Sequence, residues 1–328
     1  MAKMKKVSII TEQNMDVPNG STIRPKWQFE ILKKHEVNDV QLLDNFNERK
    51  LKDISNTLVH AHQFSGKWIN NQKYFVDIHG LEHIQSLNLS NGFPLYSWKK
   101  YAYIAKSVYY KKFEFKLFKN AVHLICSGED ILDKVKNIQS ATLVRNAIFL
   151  SDFLPTSCSE LKIALVGPFI PGTINYDGLY LIKKTIEQLP EIKFVFIGKT
   201  DLTFKNQLNS KNVEFLGVVE NYREVLRSCS ALFSPYPKHA KYLGSKNKFL
   251  EAAASNMPII TTQSGSIDFK NDLLLIGDTP EKLVDLIKSL KDENTRKKLG
   301  QNLRSEIEKN FNADIEVKKL IKLYDDYS

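Results

Sequence analysis

Gly244-Ser245-Lys246-Asn247-Lys248-Phe249-Leu250-Glu251-Ala252-Ala253-Ala254-Ser255-Asn256-Met257-Pro258-Ile259-Ile260-Thr261-Thr262 reads as a loop, a short alanine-rich helix, a turn closed by Asn-Met-Pro, and a β-branched strand. Lys248 and Glu251 stand three apart, so one face near the helix start presents a cation and a carboxylate together. The backbone N–H groups at that end add partial positive charge. A diphosphate joined to a ribose needs this combination: positive charge for the phosphate oxygens and an acceptor for the sugar hydroxyls. The plain alternative is a solvated Lys–Glu pair on an ordinary helix.

The same strand–helix alternation runs through the rest of the chain. In the first half, strands are expected at Val7–Thr11, Val40–Leu43, Thr57–His60, Tyr74–Ile78, Leu124–Cys126 and Thr142–Val144, with helices at Ile23–Lys34 and Asp130–Lys136. A stretch rich in Ser, Pro, Thr and Cys at Ser151–Glu160 reads as a linker. Beyond it, strands are expected at Ile163–Val166, Phe194–Ile197, Val213–Phe215, Ala231–Phe233, Ile259–Thr262 and Leu273–Ile276. Helices at Leu179–Gln188, Tyr222–Ser228 and Lys248–Ala254 fall between them, and the tail from Glu281 to Tyr327 is mostly helical. Such alternation predicts an α/β protein with two doubly wound parallel sheets facing a cleft. The domains are expected at residues 1–153 and 159–310, with a last helix at 311–328 packing back on the first domain.

The chain has 328 residues, enough for two sizeable cores. Cys126, Cys158 and Cys229 are scattered and form no metal-spaced pair, which points to a reducing, cytoplasmic compartment. No apolar run reaches membrane-spanning length. The absence of Gly-x-Gly-x-x-Gly and Walker-type loops argues against an ordinary dehydrogenase or P-loop enzyme. The formal charge of +10 falls mostly in residues 1–150, concentrated between Trp98 and Lys119, where lysines alternate with aromatics. That stretch suits an anionic lipid surface, with rings at the headgroups and lysines on phosphate. It also suits nucleic acid, or a helix that buries one aromatic stripe in its own domain.

Lys248, Glu251, Ala254, Pro258 and Ile259-Ile260 resemble the Lys-x-x-Glu-x-x-Ala-x-x-x-Pro motif of retaining family-four glycosyltransferases of the GT-B fold (glycosyl transferases group 1). The resemblance extends over nearly the whole chain. Leu165-Val166-Gly167-Pro168-Phe169, Phe196-Ile197-Gly198, Phe215-Leu216-Gly217-Val218 and Ala231-Leu232-Phe233-Ser234-Pro235 resemble the strand ends of the donor domain, in the family's order. The resemblance implies that Gly20, Gly167, Gly198, Val218, Lys248 and Glu251 bind a nucleoside-diphosphate sugar. It also implies that His79, before Gly80, lies near the transferred sugar and leaving group. Ser21, Arg24 and His62 are the acceptor-side candidates, and Asn19-Gly20-Ser21-Thr22 reads as the loop after the first strand.

Three departures stand out: Leu243 replaces a second motif carboxylate, and Pro168 and Asp177 occupy positions where the family usually has basic residues. His60 and His62 are expected on opposite sides of their strand, so no metal is expected there. The implied activity is a metal-independent, retaining transfer of a hexose-type sugar to a saccharide or lipid-linked acceptor, without a cofactor. The protein would lie in the cytoplasm, either free or peripheral on the inner face of a membrane. No nucleic-acid partner is expected. The competing readings are a non-catalytic nucleotide-sugar binder, a nucleotide-sugar epimerase of the same fold, and a nucleic-acid-binding protein.

Overall fold

The computed structural model describes residues 6–16, 20–35, 37, 39–239, 246–266 and 269–327. They group into two compact units: residues 6–149 with 310–327, and residues 150–239 with 246–309. Each is built on one six-stranded sheet in which every pairing is parallel.

The first unit runs β1 (Val7–Ile10), α1 (Gly20–Lys34), β2 (Val40–Leu43), β3 (Leu58–His62), β4 (Tyr74–Ile78), α2 (Glu82–Ser90), α3 (Trp98–Asn120), β5 (His123–Cys126), α4 (Glu129–Val135) and β6 (Ala141–Leu143). Its strand order is β2-β1-β3-β4-β5-β6. The connection from β1 goes one way and that from β2 crosses to the other side, which creates a switch point between the ends of β1 and β3. Both sheet faces are covered, so the central strands β1, β3, β4 and β5 are buried on both sides, their polar residues Ser8, His60, His62 and Asp77 included. Along β4, Tyr74 and Val76 enter one core with Leu117, Phe118 and Leu124, and Phe75 enters the other with Trp27, Ile31 and Ile125.

The second unit runs β7 (Lys162–Val166), α5 (Ile174–Asp177), α6 (Leu179–Ile186), β8 (Lys193–Ile197), α7 (Leu202–Gln207), β9 (Val213–Gly217), α8 (Tyr222–Arg227), β10 (Ala231–Ser234), α9 (Asn247–Ala254), β11 (Ile259–Thr261), β12 (Leu275–Ile276), α10 (Pro280–Ser289) and α11 (Glu293–Asn310). The order β12-β11-β10-β7-β8-β9 reverses between β7 and β10, so the switch point lies at Val166 and Ser234. Its core includes Phe194, Phe196, Phe204, Phe233, Leu283 and Ile287.

The last helix, α12 (Ala313–Asp326), belongs to the first unit. Val317, Leu320 and Tyr324 are fully buried in the core that holds Trp27 and Phe75. Asp314 accepts from Lys34 at 3.0 Å, and the Arg145 backbone N–H donates to Glu316 at 2.7 Å.

Two local expectations change. Gly20, Ser21 and Thr22 are the first turn of α1 rather than a loop. Pro25 is the sixth residue of that helix, past its first turn, where proline supplies no N–H to the backbone ladder. The strand expected over Leu273–Ile276 keeps only Leu275–Ile276, since Asn271–Leu273 form a 3₁₀ turn. Asn19 and Leu243 lie outside the described residues.

Candidate donor site and histidine cluster

The ends of β7, β8 and β9 form a backbone ladder. The N–H of Gly167 donates to Ile197 O at 3.0 Å, and that of Gly198 donates to Gly217 O at 2.7 Å. Gly198 has φ of +122°, and a Cβ there would lie 2.0 Å from Gly167 O. Glycine is therefore dictated by packing at this point. Val218, one residue beyond the ladder, is exposed.

Lys248 reaches from the first turn of α9 into the switch point. Its Nζ donates to Val166 O at 2.8 Å and to Asn175 Oδ1 at 2.7 Å, and it lies 5.1 Å from the Tyr236 ring centroid. Asn175 in turn donates to Pro168 O at 3.1 Å, tying the β7 loop to the lysine. Burial, with Lys246 adding to it, brings the Lys248 ammonium down to about 7. Glu251 accepts from the Tyr222 hydroxyl at 2.7 Å, and burial pushes its carboxyl up to about 7 against the pull of Tyr222, Arg223 and Lys248. Lys248 and Glu251 form no ion pair with each other, so each keeps its own partner. No side chain caps α9. Asp177 pairs with His239 at 3.3 Å.

Asn175, Tyr222 and Tyr236 were not singled out from the sequence. Asn175 lies 73 positions from Lys248 and Tyr222 lies 29 from Glu251, and no local pattern links such pairs.

The first unit gathers three of its histidines, His60, His62 and His79, at the ends of β3 and β4. The rings of His60 and His62 stack at 4.8 Å and 14°, which corrects the expectation that they face opposite sides. Residues i and i+2 of a strand share a face, and β3 obeys that period. His60 bridges Tyr324 OH at 2.6 Å and Asp77 Oδ2 at 3.0 Å. Asp77 also accepts from Arg24 Nε at 2.6 Å and Gln28 Nε2 at 2.9 Å. Burial works against the Asp77 charge, but Arg24 and the histidines hold its carboxyl well below the usual range.

Arg24 has a different task from the acceptor contact expected of it. It is buried, and beyond Asp77 it donates to Asn146 Oδ1 at 2.9 Å and Val144 O at 2.7 Å. An arginine this enclosed neutralises Asp77 instead of meeting an incoming anion. Ser21 stays exposed on the first turn of α1.

His62 Nδ1 lies 2.7 Å from His79 Nε2, and Asp77 Oδ1 lies 3.7 Å from that same nitrogen. His62 is buried and faces His79. The His79 side chain keeps 16% of its surface exposed. Burial lowers the His79 imidazole to about 4, against the attraction of Asp77, so it is neutral near pH 7. Its loop is held by Gln63, whose amide carbonyl accepts from the N–H groups of His79 at 3.3 Å and Gly80 at 3.2 Å when oriented toward them.

His60, His62 and Asp77 each bring a potential metal-ligand atom within 4.8 Å of the others. Both Asp77 oxygens and both His60 nitrogens already have hydrogen-bond partners, and Arg24 supplies the positive charge. The cluster is built as a buried hydrogen-bonded charge network.

Two six-stranded parallel sheets of this connectivity constitute the GT-B fold, and solved glycosyltransferases share it across the whole chain. Anabaena HepE, solved with UDP-glucose, aligns over 98% of this chain and 100% of its own, at 10% identity and a TM-score of 0.73. A Rickettsia africae glycosyltransferase aligns over 98% of each chain at 11% identity and 0.71. WaaG, a glycosyltransferase involved in lipopolysaccharide biosynthesis, covers 95% of this chain and 98% of its own at 13% and 0.68. No curated protein matches by sequence. Residues 160–293 match the model of the glycosyl transferases group 1.

Proposed function

We propose that the protein transfers a hexose-type sugar from a nucleoside-diphosphate donor to a saccharide or lipid-linked hydroxyl, with retention of anomeric configuration. The observation that carries this reading is the Lys248–Glu251 pair at the β7/β10 switch point, each group half-buried and separately held. UDP-glucose in the structurally similar HepE makes a uridine diphosphate sugar the first donor to test.

In this reading the Lys248 ammonium and the uncapped start of α9 receive the diphosphate, and Glu251 accepts from the ribose hydroxyls. As the bond to the anomeric carbon breaks, negative charge grows on the leaving phosphate, where a preorganised cation acts most strongly. The acceptor hydroxyl attacks from the leaving-group side and its proton passes to a phosphate oxygen. Lys248 takes the place of a divalent ion, so transfer is expected to need no metal. His79, a neutral imidazole at a strand end, contacts the sugar as it is transferred.

Calorimetry and turnover with UDP-glucose test this directly. Glu251→Ala should cost about 1.5–3 kcal/mol of donor binding, the range for a hydrogen bond to a charged group. Lys248→Ala should weaken binding as well. His79→Ala should lower kcat more than it raises donor KM. Transfer should persist in excess chelator. Unchanged diphosphate affinity in both donor-site variants would sink the assignment, and strict dependence on added magnesium or manganese would sink the metal-free route.

A further inference from the structure

Glu251 offers two carboxylate oxygens, and the second unit holds only one of them. Oε2 accepts from the Tyr222 hydroxyl at 2.7 Å, and among the described residues Oε1 accepts no hydrogen bond. Tyr222 is the first residue of α8, and Glu251 lies in the second turn of α9. The contact therefore joins the connection that leaves β9 to the helix that follows β10. A tyrosine bridges such a gap with only two side-chain torsions to fix.

The helix that presents Tyr222 is itself tethered. Arg227 Nε donates to Pro155 O at 3.2 Å, and Arg227 O accepts from Thr156 Oγ1 at 2.9 Å. Arg223 pairs with Asp152 at 2.9 Å. Burial, with Glu251 beside it, holds the Tyr222 phenol well above its ordinary range, so it keeps its proton and remains a donor. Burial also raises the Glu251 carboxyl. Of the groups that face it, Tyr222 and Arg223 of α8 and Lys248 of its own helix, Tyr222 opposes that rise most.

We infer that Tyr222 is a positioning residue of the donor site: it pins Oε2 of Glu251 and leaves Oε1 for the ribose hydroxyls of a nucleoside diphosphate. The inference rests on the donor reading of Lys248 and Glu251 and extends it to the β9–α8 connection. A glutamate on its own stem samples several rotamers, and binding must freeze one of them. An anchor already in place removes that loss from the binding step.

Calorimetry of the full chain with uridine diphosphate, deoxyuridine diphosphate and pyrophosphate is the test. Tyr222→Phe should weaken uridine diphosphate by about tenfold, the scale of one hydrogen bond to a carboxylate. Pyrophosphate should bind as in the wild type, since it reaches Lys248 without a ribose. Preference for the ribo- over the deoxynucleotide should shrink. In a Glu251→Ala background, Tyr222→Phe should add no further loss. Tyr222→Phe should also move the Glu251 ionisation to higher pH, read from its carboxyl carbon resonance, which Glu251→Gln assigns. A merely structural tyrosine would leave that midpoint where it is. If Tyr222→Phe binds uridine diphosphate as tightly as the wild type, or more tightly, while Glu251→Ala binds weakly, the donor reading stands and this inference fails. If Glu251→Ala also binds normally, the donor reading has failed and takes the inference with it. Equal losses for uridine diphosphate and pyrophosphate, with a lowered melting temperature, would make Tyr222 a support of the fold alone and overturn the proposal.

Discussion

Lys248 sits between two demands. Burial disfavours its charge, while Val166 O and Asn175 Oδ1 accept from the ammonium and hold it in place. With its protonation midpoint near 7, the charged fraction falls as pH rises through neutrality. A nucleotide sugar keeps its diphosphate charge over that range, so donor affinity should fall from pH 6.5 to 8.5 with proton uptake on binding. Glu251 titrates over the same range with the opposite sign, because ionisation makes it a better acceptor. Glu251→Gln should therefore steepen the fall, and Lys248→Met should bind weakly at every pH. Calorimetry in buffers of different ionisation enthalpy reads both. A flat profile in the wild type that Glu251→Gln leaves flat would mean that Lys248 keeps its proton throughout. The spacing of Lys248 and Glu251 was legible in the sequence because both lie on one turn of one helix. Asn175 and Tyr222 were not, because they reach the site through the fold.

The glycines at the strand ends act as elements rather than as single residues. Gly167, Gly198 and Gly217 bring three loops to one edge of the second sheet, and the close approach at Gly198 leaves no room for a methyl group. Gly198→Ala should cost about 1–3 kcal/mol for the backbone conformation, with the clash against Gly167 O added. Urea unfolding monitored by circular dichroism should show a lower midpoint together with weakened nucleotide affinity. A midpoint equal to wild type would show that the loops yield cheaply. The strands themselves could be read from their apolar β-branched runs. The first turn of α1 could not, because Gly20-Ser21-Thr22 is weak helix-forming sequence that the protein around it overrides.

Taken whole, the two units close their cores by different means. The second unit is nearly continuous in sequence, from 150 to 309, and its core is drawn from its own strands and helices. The first takes one wall from α12, whose Val317, Leu320 and Tyr324 lie against Trp27, Ile31 and Phe75. A chain of residues 150–309 should fold cooperatively and retain nucleotide binding. A chain of residues 1–149 should not, because removing α12 opens a buried apolar face and takes the Tyr324 hydroxyl from His60. Thermal melts and calorimetry of the two fragments decide this. A cooperative transition in residues 1–149 would show that α12 is dispensable.

The sequence by itself determined the fold class, since alternating strand and helix periods are local properties that survive without tertiary context. It also placed Lys248 and Glu251 together, because they are neighbours on one helix. The tertiary structure alone decided what the buried charges do. Arg24 was read as a contact for an incoming anion and is the counter-ion of Asp77; the two lie 53 positions apart and meet only once α1 packs on the sheet. His60 and His62 were separated on paper and stack in the fold, where their shared strand face is closed over by Tyr324 from the far end of the chain. The same holds for α3: its composition showed lysines and rings, but only packing divided them into a face spent on the core and an exposed face.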